Sequence, residues 1–185
     1  PWAAPACPAP GPLEPPLAPL LTGLRAYGAW VRGEFTLAVS LAEETRGLEA
    51  TLATAPSGLA ERVLANVFYM RDRSDLGHKE GDRQVELAKA SGNDSRLVHA
   101  FYMSAVALSS DGRYDEAQHV VARARVLAEK TGCPTDLASA AVAEGFVSRN
   151  ESDALDAVVK SDRIARAAGN RWMSGLSRMW ASGVV

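Results

Sequence analysis

The side chains of this chain that could run covalent or proton-transfer chemistry are few: Cys133 and, as bases for its thiol, His78, His99 and His119. A thiolate beside an imidazole is the nucleophile and base of acyl transfer, provided that a third group orients the base. The spacing argues against that assembly. Cys133 falls at an inter-helix turn and His119 near the start of the preceding helix, more than about three turns away along its axis. Paired carboxylates are the next candidates for acid–base work: Glu43 with Glu44, Asp115 with Glu116, and Asp153 with Asp156. They sit at helix starts or on polar faces, where they complement the helix dipole and water. No glycine is followed by Lys-Ser or Lys-Thr at the spacing of a phosphate-binding loop, so this chain by itself is expected to bind neither ATP nor another cofactor. Cys7 and Cys133 form no CxxC or Cys/His pattern, which leaves two free thiols and no metal site. No catalytic residue is expected.

Binding chemistry suits the residues better. His99 lies at helical spacing from Tyr102, Met103 and Val106, and Arg62, Asn66 and Tyr69 take the corresponding places one repeat earlier. Aromatic area with directional Arg and Asn groups fits a groove that holds a peptide or a small inducer molecule. The other reading open to the same residues is that Tyr102 and Met103 fill the seam between adjacent repeats. Near the C-terminus, Trp172, Leu176, Met179 and Trp180 share one broad helical face, an apolar area that needs a cover. That helix either caps the array or is the first half of a further hairpin, and in the second case self-association through this end follows.

The elements that must position these residues are read from a period. Three segments end alike, at Gly92-Asn93, Gly132-Cys133 and Gly169-Asn170, and their glycines lie 40 and 37 residues apart. A fixed period of that size is the signature of stacked helix pairs. Gly33, Asp72 and Gly112 recur in step at turns. Ala26, Ala65, Ala105 and Gly145 recur inside the first helix of each pair, and Ala38, Gly77, Ala117 and Ala154 inside the second, where small side chains let the helices approach. The best-formed helix places Tyr114, Ala117, Val120, Val121, Ala124, Leu127 and Ala128 on one buried face and ends at Gly132. The weakest stretch runs from Met70 to Arg83, where charges and the interior glycines Gly77 and Gly81 predict a longer turn and a late or frayed helix start. The expected fold is all-α: a right-handed superhelical array of antiparallel helix pairs with a period of about 37 to 40 residues. Residues 1–19, rich in Pro and Ala, form a linker, and residues 20–185 hold about four hairpins and the start of a fifth.

Composition sets the outer limits. With 47% hydrophobic and 23% charged residues the chain is globular, and 20 basic against 22 acidic residues give no basic face for direct nucleic-acid contact. No run approaches the roughly 18 to 20 apolar residues of a membrane span, and the N-terminus lacks a secretory pattern, so a cytoplasmic location is expected. A start at Pro1 and a helical pattern still running at Val185 suggest a piece of a longer protein.

Asp111-Gly-Arg-Tyr-Asp-Glu-Ala117 is similar to the turn and second-helix start of tetratricopeptide repeats. Val126-Leu-Ala-Glu-Lys-Thr-Gly-Cys-Pro-Thr-Asp-Leu137 and Gly169-Asn-Arg-Trp-Met-Ser174 resemble, more narrowly, the repeat region of actinobacterial LuxR-type signal-transduction ATPase regulators and related multidomain cyclases. The resemblance covers roughly Leu20 to Val185. It implies a non-catalytic interaction or sensor arm whose partners are neighbouring domains of the parent, a protein or peptide, or a small inducer. ATP would bind only in a neighbouring domain, and the output would be a helix-turn-helix or a class III nucleotide cyclase. A stand-alone adaptor that binds a partner's peptide is the alternative from another class.

Overall fold

The computed structural model describes residues 17–184, and among them the chain is all-α, with nine helices and no strand. In chain order these are α1 (Ala18–Val31), α2 (Phe35–Thr51), α3 (Leu59–Met70), α4 (Ser74–Ala90), α5 (Asp94–Ser110), α6 (Tyr114–Thr131), α7 (Pro134–Val147), α8 (Glu151–Ala167) and α9 (Arg171–Val184). They form two compact units, one reaching to Val67 and the other beginning at Phe68. In the first, α1 packs on α2; in the second, α5 packs on α4, α6 and α7, and α7 also packs on α6, α8 and α9. The expected linker lies for the most part outside the described residues, as does Cys7. Its end is corrected: α1 begins at Ala18 and takes Pro19 into its first turn, where a proline loses no hydrogen bond.

The turns repeat because their hydrogen bonds repeat. Glu34 N–H donates to Ala29 O at 2.9 Å, Arg73 N–H to Phe68 O at 2.9 Å and Arg113 N–H to Leu108 O at 2.8 Å. Each bond reaches back five residues and satisfies a carbonyl at the helix end, which requires the residue before the donor to be left-handed. Gly33 (φ 78°) and Gly112 (φ 75°) adopt that conformation freely, whereas Asp72 (φ 59°) is forced into it. Ala53 (φ 49°) is likewise forced, one period before Gly92. A left-handed Cβ costs about 1 kcal/mol or more. Ala53→Gly and Asp72→Gly are therefore each expected to raise stability by about 1 kcal/mol in urea unfolding, where glycine introduced elsewhere lowers it.

The small residues hold the positions that the period gives them. Ala26, Ala38, Ala105 and Ala117 are fully buried, and Ala65 and Ala154 nearly so. At Gly145 a Cβ would stand 2.8 Å from Val158 Cγ2 and 3.1 Å from Ala154 O, so α8 crosses α7 at a distance only glycine allows. The principal core of the second unit gathers Tyr102, Leu108, Val121, Val142, Val147 and Met173 with the alanines between them.

Two local expectations are corrected. The stretch after Met70 holds no long turn: α4 starts at Ser74 and runs unbroken through Gly77 and Gly81, both buried. A Cβ at Gly77 would lie 2.6 Å from Tyr69 Cε1, and one at Gly81 would lie 3.7 Å from the Tyr69 hydroxyl oxygen. The glycines are the seat of the Tyr69 ring, and its packing offsets their low helix propensity. Tyr114 leaves the buried face of α6 and is 39% exposed, because it is the first residue of the helix and its ring meets the Arg149 guanidinium, 5.8 Å from the centroid.

Candidate functional site

The residues proposed for a groove are engaged with their own neighbours. In the first unit the Arg62 guanidinium lies 4.5 Å from the Tyr27 ring centroid and donates to the Tyr27 hydroxyl at 3.1 Å. Burial pushes the Tyr27 hydroxyl above its ordinary pKa, and Arg62 opposes that shift. Asn66 is buried and donates its amide to Arg62 O at 2.7 Å. Arg46 meets Glu61 at 3.0 Å, with Glu61 itself 1% exposed.

In the second unit Tyr102 is 5% exposed, inside the principal core, with Met103 and Val106 packed against that core from the side. His99 is half-buried and stands edge-on to the Tyr102 ring at 5.7 Å. Tyr102 thus takes the seam position rather than a groove wall. Helical spacing alone gives both readings; what separates them is α7, which carries Ala138 and Val142 into the same cluster.

Tyr69 belongs to a polar chain that sequence reasoning did not find. Its hydroxyl meets His78 Nδ1 at 3.2 Å, and His78 Nε2 meets Asp111 Oδ2 at 2.5 Å. Hydroxyl, imidazole and carboxylate thus stand in series across α3, α4 and the turn before α6. Burial, then the charges of Asp111 and Asp82, push the Tyr69 hydroxyl well above its ordinary pKa, so it keeps its proton. The contacts fasten α4 to the turn before α6. Its sequence signal is weak, since His78 and Asp111 are 33 residues apart.

Asp136 is a second residue whose role the sequence understated. Placed in the first turn of α7, it is 6% exposed and accepts from Ser95 Oγ at 2.6 Å and Thr131 Oγ1 at 2.8 Å, joining α5, α6 and α7. Cys133 is the N-cap residue of α7 and half-buried, while His119 is exposed on α6. Among the described residues no group of three or more His, Cys, Asp or Glu could hold a metal ion, and no helix is long and apolar enough to cross a membrane.

The C-terminal helix α9 divides the four residues that were assigned to one face. Leu176 packs on the core, and Trp180 stacks edge-on to Phe146 at 4.4 Å while remaining 36% exposed. Trp172 and Met179 stay open, 41% and 56% exposed. The residue that anchors α9 is Met173, 1% exposed, and beside it the Ser177 hydroxyl, with one proton to give, lies 2.9 Å from Met173 O and 2.9 Å from the Ser161 hydroxyl. The inward face is therefore centred on Met173 and the adjacent Ser161 and Ser177 hydroxyls rather than on the tryptophans. One more recess lies between α6, α7 and α8, an open hollow of about 360 Å³ lined by Val121, Arg125, Glu144, Val147 and Asp153 among others. Glu144 stands there 3.7 Å from both Arg125 and Lys160.

Comparison with protein-family models and with curated proteins gives no match to this chain. On the open side of α9 the large apolar side chains Trp172 and Met179 stand in water.

Proposed function

We propose that this chain is a non-catalytic protein-interaction and sensor module, built as a right-handed superhelical array of antiparallel, tetratricopeptide-like helix pairs. The observation that carries the reading is the recurrence of one packing position in α1, α3, α5 and α7, with Ala26, Ala65 and Ala105 buried and Gly145 at a close approach. Turns of two or three residues, which join all consecutive helices except α2 and α3, favour antiparallel pairing, and repeated pairing of that kind makes an extended surface suited to binding. The side chains with chemical potential are spent on fastening helices: Tyr69, His78 and Asp111 in one chain, Asp136 in another.

Within that class, the parent is an ATP-dependent transcriptional regulator of the LuxR type, and this module is its cytoplasmic sensor arm. The support is the similarity of Asp111–Ala117, Val126–Leu137 and Gly169–Ser174 to such repeat regions. An arm with two docking arrangements biases an attached ATPase when a ligand favours one of them. Reading the coding sequence on both sides of Pro1 and Val185 tests this. A phosphate-binding loop upstream with a helix-turn-helix at an end is the expected result, a nucleotide cyclase signature would move the module to that output, and flanks without either would leave a free adaptor.

A further inference from the structure

Counting from the residue that precedes each helix, Asn93, Cys133 and Asn170, the helices α5, α7 and α9 share one register. Met179 then stands where α5 has Tyr102 and α7 has Val142, Gly175 where they have Val98 and Ala138, and Ser182 where they have Ala105 and Gly145. In α5 and α7 these six positions are occupied by covered residues: five are 5% exposed or less, and Gly145 takes the backbone of α8 against it. In α9 all three are exposed, and a Cβ at Gly175 would meet nothing within 4 Å. The face is shaped for a helix that lies on it as α6 lies on α5.

The charge of that helix follows from the same register. Against α5, α6 presents two cations seven residues apart: Lys130 reaches Asp94 at 2.6 Å, and the Arg123 guanidinium lies 4.4 Å from the Phe101 ring centroid. On α9 the places of Asp94 and Phe101 are taken by Arg171 and Arg178, both exposed, and the sequence of α9 holds no acidic residue. A covering helix charged like α6 would be repelled at both points, and so would a second copy of α9. We infer that the open face of α9 docks a partner protein's amphipathic helix, one carrying a small-residue apolar stripe and carboxylates seven residues apart where α6 carries Arg123 and Lys130. The inference rests on the reading of this chain as an interaction module and names the partner's chemistry.

The test uses the whole chain and two labelled 18-residue peptides: the α6 sequence, and the same sequence with Arg123→Glu and Lys130→Glu. In fluorescence anisotropy at low salt the acidic peptide is expected to bind at least tenfold tighter, with affinity falling as salt rises. Arg171→Glu with Arg178→Glu in the protein should reverse the preference without moving its melting temperature, since both side chains are exposed. Equal binding of the two peptides, a preference unmoved by the arginine changes, or no binding of either would overturn the inference. So would a concentration-dependent dimer in light scattering that Met179→Ser abolishes, because the occupant would then be a second copy. A helix encoded directly after Val185 that covers this face would overturn the inference too, because the occupant would then be the next hairpin of the same protein, whereas an upstream phosphate-binding loop tests the interaction-module reading separately.

Discussion

Replacing Tyr102 by alanine is expected to cost about 3 to 4 kcal/mol of stability, a fall in melting temperature of about 10 °C for a chain of this size. The ring is 5% exposed and shares its cluster with Leu108, Val121 and Val142, so its removal leaves a cavity among three helices that are already fastened to each other through Asp136. Collapse into that cavity is resisted where Ala105 and Ala117 bring α5 and α6 together, both with no exposed surface. A groove residue would behave in the opposite way, with little loss of stability and a loss of ligand. Thermal unfolding followed by circular dichroism separates the two, and a drop of only one or two degrees would return Tyr102 to a binding surface.

Gly145→Ala should cost about 2 to 3 kcal/mol although alanine is the better helix former by about 1 kcal/mol. The added methyl meets Val158 Cγ2 at 2.8 Å and the backbone oxygen of Ala154 at 3.1 Å. A side chain can rotate, but a helix backbone must move as a body, and α8 is also held to α7 by the bond from Ser161 Oγ to Ala138 O at 2.8 Å. Adding Val158→Ala should recover part of the loss and not all of it, since the contact with Ala154 O remains. Gly47→Ala is the control: nothing lies within 4 Å of its Cβ position, so the same exchange should stabilise. Urea unfolding of the three variants reads the difference directly, and a neutral Gly145→Ala would mean that α7 and α8 are not in close contact.

Much of the fold was legible because it repeats. Glycines at a fixed period gave the turns, and small residues at the same period gave the buried crossings, so Ala38, Ala117 and Ala154 were placed correctly from spacing alone. What escaped the sequence depends on a neighbour distant along the chain. Gly77 and Gly81 look like helix breakers until the Tyr69 ring is laid over them. Asp136 looks like a dipole-compensating acid until Ser95 and Thr131 close around it. The face of α9 was set by its tryptophans, the largest apolar residues present, whereas its packing is centred on Met173 and on a serine pair that hydrophobicity cannot reveal. The candidate groove was legible only as an ambiguity, since a seam and a groove draw on the same aromatic spacing.

The most direct test of the open face of α9, on which its reading as a docking surface depends, is a pair of matched substitutions read by thermal unfolding. Val142→Asn and Met179→Asn change the same register position in α7 and α9, where the first side chain is fully buried and the second 56% exposed. Val142→Asn is expected to cost about 3 kcal/mol, because it buries an amide without partners, while Met179→Asn should stay within about 0.5 kcal/mol of the parent. Equal losses at the two positions would contradict the open face, since Met179 would then be packed like Val142 and α9 would offer no face to a partner.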